Sequence, residues 1–278
     1  MSFLYETHLH TSQSSECGES RGREYIKRYI DRGFSGIIVT DHFFNSNCSA
    51  GRTLPWAEWV KRFCEGYEDA LDEGERLGLD VFFGWEETFD GDDYMVYGLD
   101  KTWLLDHPEI IRWSREEQFA QAHNHGACII QAHPFRQHHY IDTVHLAPYF
   151  VDGVETANRG NHDPWYDAMA AEYASILGLP QVAGSDIHRA WELDDDEPYG
   201  IEVEKKWTSL KDFVDLILNR GRIELHIPGG RCDFRPNDKT RPFACKVDLR
   251  DRADLTFRCW PQAMNFSDIA AELKKQAN

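Results

Sequence analysis

The chain has 278 residues and 41% of them are apolar, which is enough to bury one large core, so we expect a single domain. It carries 30 Lys and Arg residues against 48 Asp and Glu residues, a net charge of -18. Because a sequence-independent grip on phosphate backbones needs clustered cations, this charge argues against nucleic acid as a partner. No window approaches the roughly 18 apolar residues of a membrane span, and no apolar leader follows Met1, so we expect a cytoplasmic protein without a membrane partner.

The seven cysteines form no CxxC pair and are odd in number. This pattern argues against a disulfide framework and against a cysteine-based zinc site. We therefore interpret them as reduced and mostly structural. They are Cys17, Cys48, Cys64, Cys128, Cys232, Cys245 and Cys259.

In chain order, short apolar runs that end in polar or ionisable residues alternate with stretches of helical spacing. The predicted strands are Gly36–Val39, Val81–Phe83, Cys128–Ile130, Gly153–Val154 and Pro180–Ala183. The predicted helices are Arg23–Arg32, Trp56–Leu77, Arg115–His125, Trp165–Leu177 and Leu210–Asn219. After them we predict a strand over Ile223–Ile227, a loop to Pro242, weak alternation from Phe243 to Cys259, and a helix that is capped by Ser267 and ends at Asn278. Reactive residues follow at least five successive strands, which favours a closed α/β barrel with its site at the strand C-termini.

Two histidines near the start of the chain share one strand face. In His8-Leu9-His10 the side chains of residues i and i+2 point the same way, so both imidazoles can reach one metal ion. Such a pair is weak evidence alone, because most pairs of this kind are surface or satisfied core histidines. The prediction gains weight from the residues that follow the other strands.

Further histidines and carboxylates follow the predicted strands at the same edge. They are His42 after Asp41, Glu86 after Trp85, His133 after Ala132, and Asp186 and His188 in Ser185-Asp186-Ile187-His188. Five buried histidines at one edge would carry a heavy desolvation cost unless a cation organised them. Glu86 has two oxygens that can bridge two metals, whereas strand parity makes its neighbour Glu87 an exposed acidic residue.

These ordered motifs, from His8-Leu9-His10-Thr11 to Gly184-Ser185-Asp186-Ile187-His188, resemble the PHP (polymerase and histidinol phosphatase) family over residues 3 to 200. The resemblance implies a distorted (β/α)7 barrel in a single domain over residues 1–278, which the segment from 200 to 278 completes. It also implies two to three divalent ions of manganese, iron or zinc. By motif position, His8, His10, Glu86 and Asp186 hold the first ion, Glu86 and His133 the second, and His42 and His188 the third.

Trinuclear family members have two more histidines, and the resemblance puts Glu16 and Asp100 at those positions. If both bind metal, oxygen replaces nitrogen and the preference shifts from zinc toward manganese or ferrous iron. If neither binds, occupancy falls to one or two ions. The sequence leaves both alternatives open.

The reaction that we expect is phosphoester hydrolysis of a small phosphorylated metabolite by a metal-bridging hydroxide. Asp186 and His188 are the candidates for proton transfer, although metal ligation competes with that role. Arg136 and Arg159 are candidate phosphate ligands, because an arginine fork suits phosphate oxygens. Glu155 and Asn158 are expected to orient the metal ligands.

Two other functions remain open at this stage. The same metal core could cleave a C–N bond, as in an amidohydrolase, and such a substrate would have no dianion for the arginines to bind. The domain could also be a non-catalytic metal-binding module. The sequence does not indicate an oligomeric state.

Overall fold

The computed structural model describes residues 2–138, 141, 143–230, 242–243, 245–247 and 264–277. The strands are β1 (Phe3–Glu6), β2 (Phe34–Val39), β3 (Asp80–Phe89), β4 (Asp92–Tyr97), β5 (Cys128–Gln131), β6 (Val144–Leu146), β7 (Gly153–Asn158), β8 (Gln181–Gly184), β9 (Gly200–Val203), β10 (Glu224–His226), β11 (Pro242–Phe243), β12 (Cys245–Val247) and β13 (Met264–Asn265). The α-helices are α1 (Gly22–Asp31), α2 (Trp56–Phe63), α3 (Glu65–Leu77), α4 (Lys101–Asp106), α5 (Arg115–Asn124), α6 (Pro164–Leu177), α7 (Leu210–Leu218) and α8 (Phe266–Ala277), and 3-10 helices span Pro108–Arg112 and Ala190–Asp194.

Nine strands form one sheet in the order β10-β9-β1-β2-β3-β4-β5-β7-β8. Neighbouring strands are parallel except where β4 and β9 pair with their neighbours in antiparallel fashion. Beyond the ends of β1 and β8, a parallel bridge joins Leu9 to Ile187 and nearly closes the sheet. The predicted α/β barrel is confirmed. The segment after residue 200 contributes β9 and β10 to it.

Three local predictions differ from the structure. The run that begins at Val81 continues to Phe89 and turns back into β4, a strand that the sequence analysis missed. The helix predicted from Trp56 to Leu77 is two helices that meet at Cys64. The last helix begins at Phe266, and its cap is Asn265, whose side-chain oxygen accepts a hydrogen bond from the Asp268 N–H, so the predicted cap at Ser267 is wrong.

Most of the predicted loop to Pro242, most of the alternation after Phe243, and Asn278 lie outside the described residues. Cys232 and Cys259 lie there too.

Aromatic packing holds the segment that follows β2. Phe43 is fully buried, and its ring lies 5.1 Å from Trp59, 5.2 Å from Phe63 and 5.2 Å from Trp85, measured between centroids. Trp59 and Phe63 are one turn apart on α2, so they present a single aromatic face. This packing anchors the backbone directly after His42.

A buried carboxylate links the ends of β1 and β8 below the barrel mouth. Glu6 is 0% exposed, and its Oε1 accepts hydrogen bonds of 2.9 Å from each of the backbone N–H groups of Thr7, His8 and Ser185. Its Oε2 accepts from the Tyr29 hydroxyl at 2.7 Å. Burial raises the pKa of Glu6, although these donors oppose the rise. Glu6 therefore holds two separate segments in register.

We expect Glu6→Ala to lower the free energy of unfolding by at least about 3 kcal/mol, because three buried N–H groups lose their acceptor at about 1–3 kcal/mol each. Glu6→Gln keeps an amide oxygen in place of Oε1 and is expected to unfold close to the wild type. Urea denaturation of both variants measures the difference. A Glu6→Ala protein within about 1 kcal/mol of the wild type would contradict this role.

Candidate metal centre

Closure of the barrel brings the first and last motifs together. The His10 N–H donates to the Ile187 carbonyl at 3.0 Å, and the Asp186 N–H donates to the His8 carbonyl at 2.8 Å. On the other side, the Thr40 N–H donates to the Leu9 carbonyl at 2.9 Å. The segment after β1 therefore lies between the segments that follow β2 and β8, and the side chains of the three segments lie close together.

The first group of ligand atoms converges between His8, His10, Glu86 and Asp186. The two imidazole Nε2 atoms lie 3.1 Å apart; His8 Nε2 is 3.3 Å from a Glu86 oxygen and His10 Nε2 is 3.2 Å from an Asp186 oxygen. Ligands about 2.1 Å from one ion lie about 3.0–3.5 Å from each other, so the donor set fits a cation. One proton can bridge only one of these pairs, whereas one metal ion can bind all four side chains.

Glu86, His133 and Asp93 form a neighbouring group. His133 Nε2 lies 3.2 Å from a Glu86 oxygen and 3.8 Å from an Asp93 oxygen. The sequence analysis missed Asp93, which lies on β4 opposite Thr88 of β3. Recognising the β3–β4 hairpin would have supplied the signal, because its register brings Asp93 back beside Glu86.

His10, His42 and His188 form a third group, in which the ligand nitrogens lie within 4.8 Å of one another. Cys17, which carries a thiol, lines the same cavity as His42 and His188. Burial raises the pKa of this thiol, but the two histidines outweigh burial and bring the pKa to about 6. The expectation that the cysteines are mostly structural therefore does not extend to Cys17.

The electrostatics of the cluster follow from buried carboxylates. Burial raises the pKa of Glu86 and of Asp186, yet nearby positive charge, from His8 above all, holds both well below their usual values. Conversely, burial lowers the pKa of His8, but the charges of Glu155, Asp186 and Glu86 raise it well above its usual value. Ionised carboxylates thus require positive charge at this edge, which divalent cations can supply.

A second layer of side chains orients the imidazoles. Glu155 accepts from His8 Nδ1 at 2.9 Å, from the His133 N–H at 3.1 Å and from the Asn158 amide at 2.8 Å. The bond at Nδ1 turns His8 Nε2 toward the other ligand atoms. Glu155 and Asn158 thus make contacts of the orienting kind that the sequence analysis expected.

Two of the ligand candidates have strained backbones. His133 has a φ of 27° and Asp186 a φ of 51°, in the region that residues with a Cβ rarely adopt. Such conformations cost about 1–3 kcal/mol each and persist where the surroundings impose them. Here the strain aims both side chains at one point as their strands end.

The structure brings together all seven residues predicted as metal ligands: His8, His10, His42, Glu86, His133, Asp186 and His188. It does not bring Glu16 or Asp100 to them. Glu16 is exposed, beside Ser46 to Arg52, and Asp100 is exposed and caps α4 by accepting from the Trp103 N–H at 2.8 Å.

The predicted exposure of Glu87 is wrong. Its side chain is fully buried and accepts hydrogen bonds from the Asn45 and Thr88 N–H groups and from Gln118. Burial raises its pKa to about 7 against the effect of these donors. Glu86 points toward the site, as strand alternation predicted. Glu87 points the opposite way, where it contacts α5 and not water.

The PHP domain family model matches residues 6–224. The chain belongs to the PHP family. No curated protein matches the chain. PHP membership and the ligand groups together support a metal-dependent hydrolase.

Two solved structures share the PHP fold of this chain. One is a two-domain protein from Bacteroides vulgatus that contains a predicted PHP-like metal-dependent phosphoesterase, at 18% identity and a TM-score of 0.62, with 82% of this chain and 65% of that chain covered. The chain thus spans less than two thirds of that protein. The other is a lesion-specific endonuclease from Pyrococcus furiosus, at 12% identity and a TM-score of 0.57, with 98% of this chain and 72% of that chain covered. At these identities the likeness shows the fold alone.

Two cavities open onto the candidate metal centre. One of about 580 Å³ is lined by Glu86, Asp93 and His133, and one of about 1100 Å³ is lined by Arg159 and several acidic residues. Arg136 lines both. The two predicted phosphate ligands therefore lie beside the centre.

Each arginine is held by polar partners. Arg136 lies 2.7 Å from an Asp186 oxygen and donates to Asn158 and Asn161 at 2.8 Å each. Arg159 pairs with Glu192 at 2.9 Å and with Asp196 at 2.7 Å. Both guanidinium groups are thereby fixed in place before any ligand binds.

Among the described residues, no helix has both the length and the apolar character that crossing a membrane requires.

We expect Asp93→Asn to reduce metal content and Asp100→Asn to leave it unchanged, because only Asp93 lies with Glu86 and His133. The two substitutions are chemically identical, and asparagine also caps helices well, so Asp100→Asn keeps α4 intact. Metal analysis after dialysis against a weak chelator measures the difference. Loss of metal from Asp100→Asn alone would show that the centre recruits Asp100.

Proposed function

We propose that this protein is a metal-dependent phosphoesterase that hydrolyses a small phosphomonoester. The observation that carries the proposal is the convergence of ligand groups that share His8, His10 and Glu86 beside two cavities, both of which Arg136 lines. A metal centre with an adjacent guanidinium suits a dianionic phosphoryl group.

Two to three divalent ions, of manganese, iron or zinc, fit the ligand groups. When bound, such ions lower the pKa of water and neutralise charge on the phosphoryl oxygens. The chain itself supplies orientation. Arg136 lies beside Asp186 at the junction of the cavities, where its planar fork can hold phosphate oxygens.

The two candidates for proton transfer, Asp186 and His188, both line the two cavities, and both also belong to ligand groups. His188 Nδ1 hydrogen-bonds to the Asp186 carbonyl at 2.9 Å, and its ring stacks on His10. Nearby positive charge, acting against burial, holds the pKa of the Asp186 carboxylate well below its usual value. Either group can exchange a proton with water where it does not bind a metal ion.

The cavity lining favours a small substrate over nucleic acid. Glu192, Asp196 and Glu197 line the larger cavity beside Arg159, and the chain carries a net charge of -18. A polyanion would have to pass these carboxylates, whereas one phosphate group can reach the arginines directly. The likeness to the lesion-specific endonuclease, at 12% identity, shows the fold and not the substrate.

We expect hydrolysis of p-nitrophenyl phosphate by protein that has been stripped of metal and reloaded with manganese, iron or zinc. Glu86→Ala should lower kcat by about 10²–10³, because Glu86 belongs to two ligand groups. Steady-state kinetics with each metal, and metal analysis of both proteins, check this. If the metal-loaded protein cleaves amides from a panel but no phosphoester, C–N hydrolysis replaces the proposed function. If it binds metal and cleaves neither class of substrate, the domain is a non-catalytic metal-binding module.

We expect Arg159→Ala to raise KM for a phosphomonoester about tenfold with little change in kcat, because Arg159 lines the larger cavity without belonging to a ligand group and one charge-assisted hydrogen bond contributes about 1.5 kcal/mol. Arg76→Ala is the matched control, since Arg76 is exposed and pairs only with Glu73 on α3 among the contacts described. Equal effects of the two substitutions would remove Arg159 from the binding site.

A further inference from the structure

The segment that follows β7 encloses one side of the Arg136 guanidinium. Arg136 Nε donates to Asn161 Oδ1 at 2.8 Å, and Nη2 donates to Asn158 Oδ1 at 2.8 Å. Nη2 also lies 2.7 Å from Asp186 Oδ2. A Cβ at Gly160 would lie 3.3 Å from Nη2, so the segment packs closely over this edge of the group. Nε and Nη2 are therefore fully engaged by the protein.

The two remaining N–H donors of Arg136 belong to Nη1. Among the described residues, no hydrogen bond or ion pair engages Nη1. The side chain is 18% exposed and lines both cavities. A largely buried cation with unpaired donors beside a cavity suits an anion. The Nη1 edge can serve an anion only while the other two nitrogens hold the plane of the group in this orientation.

Asn161 is in turn held by a carboxylate on α6. Asn161 Nδ2 donates to Asp167 Oδ1 at 2.7 Å, and the same oxygen accepts from the Asn158 N–H at 3.2 Å. Asp167 lies in the first turn of α6, where Trp165 is buried and packs on Phe243 with ring centroids 5.5 Å apart. The segment around Arg136 is therefore attached to a packed helix.

Hydrogen-bonding chemistry fixes the direction of the amide between these two groups. A guanidinium can only donate and a carboxylate can only accept, so Asn161 must present Nδ2 to Asp167 and Oδ1 to Arg136. An asparagine at position 167 would accept either orientation of the Asn161 amide. In the reversed orientation Nδ2 of Asn161 would meet the Arg136 Nε–H, donor against donor. Asp167 thus determines that the amide holds Arg136 and does not repel it.

We propose that Asn161 and Asp167 are positioning residues that aim Arg136 at the phosphate group of the substrate. The inference rests on the proposed function, because it places the phosphoryl group at Arg136. Both residues lie outside the ligand groups of the described residues. They should therefore govern the affinity for phosphate, and so KM, while the metal content and kcat stay unchanged.

Asp167→Asn is the sharpest test, because two explanations predict opposite signs. If Asp167 acted only through its charge, its removal would strengthen the binding of an anion. If Asp167 orients Asn161, the affinity of the metal-loaded protein for inorganic phosphate should fall at least about twofold, because only part of the population then holds Arg136 in place. Isothermal titration calorimetry measures this affinity.

Asn161→Ala removes the bond to Arg136 outright and should weaken phosphate binding about five- to tenfold. Asn219→Ala is the matched control, since Asn219 is exposed and its side chain bonds to the Asp215 carbonyl at the end of α7. Steady-state kinetics with p-nitrophenyl phosphate should show a matching rise in KM for Asn161→Ala, with kcat within about twofold of the wild type. Metal analysis should show equal metal content in all four proteins.

Unchanged phosphate affinity in Asn161→Ala, tighter binding in Asp167→Asn, or a loss of kcat or metal without a change in affinity would each overturn the inference. Asp167→Asn is nearly isosteric, so it carries the test if Asn161→Ala fails to fold. Wild-type protein that neither binds phosphate nor cleaves the ester would refute the proposed function and this inference with it. Wild-type protein that binds phosphate no better than the variants would refute the inference alone.

Discussion

The backbone hydrogen bonds that join the segments after β1 and β8 are the constraint on which the site depends. They pair His8 and His10 with Asp186 and Ile187, so residues almost 180 positions apart lie in adjacent segments. In an open sheet these segments would lie at distant positions, and no ion could bind both. Glu6 reinforces this closure from below, because its carboxylate accepts hydrogen bonds from backbone N–H groups of both segments. The candidate metal centre therefore depends on the closed barrel and not on any single motif.

Closure has an electrostatic cost that the site itself offsets. Glu86, Glu155 and Asp186 are buried together with several imidazoles, and buried charge is unfavourable unless it is paired. Within the protein, His8 and Arg136 pair with these carboxylates. Divalent cations can also neutralise these carboxylates, and the imidazoles then stay unprotonated and bind the cation through their lone pairs. Metal binding should therefore increase the stability of the fold. The positive φ angles of His133 and Asp186 are a further cost that such binding can offset.

The sequence could predict what depends on chain order. Apolar runs followed by His42, His133 and Asp186 require only that strands end at a common edge, and the i, i+2 spacing of His8 and His10 requires only strand geometry. The barrel class and the convergence of these residues follow from those rules. The positions of Asp93 and Glu87 could not be predicted in the same way. Both positions depend on the β3–β4 hairpin, whose register comes from tertiary pairing.

Loops explain the remaining difference between expectation and structure. Counting from His10 selects Glu16, yet Glu16 is exposed and lies beside Ser46 to Arg52. The turn at Gly18, the hydrogen bonds of Thr11 and Ser15 to Asp41, and the hydrogen bond of Glu19 to the His188 carbonyl set the path of this loop. Chain order predicts where the strand ends meet, because parallel strands of a barrel end at a common edge. It does not predict which residue of a loop faces the site, because contacts between distant segments fix that orientation.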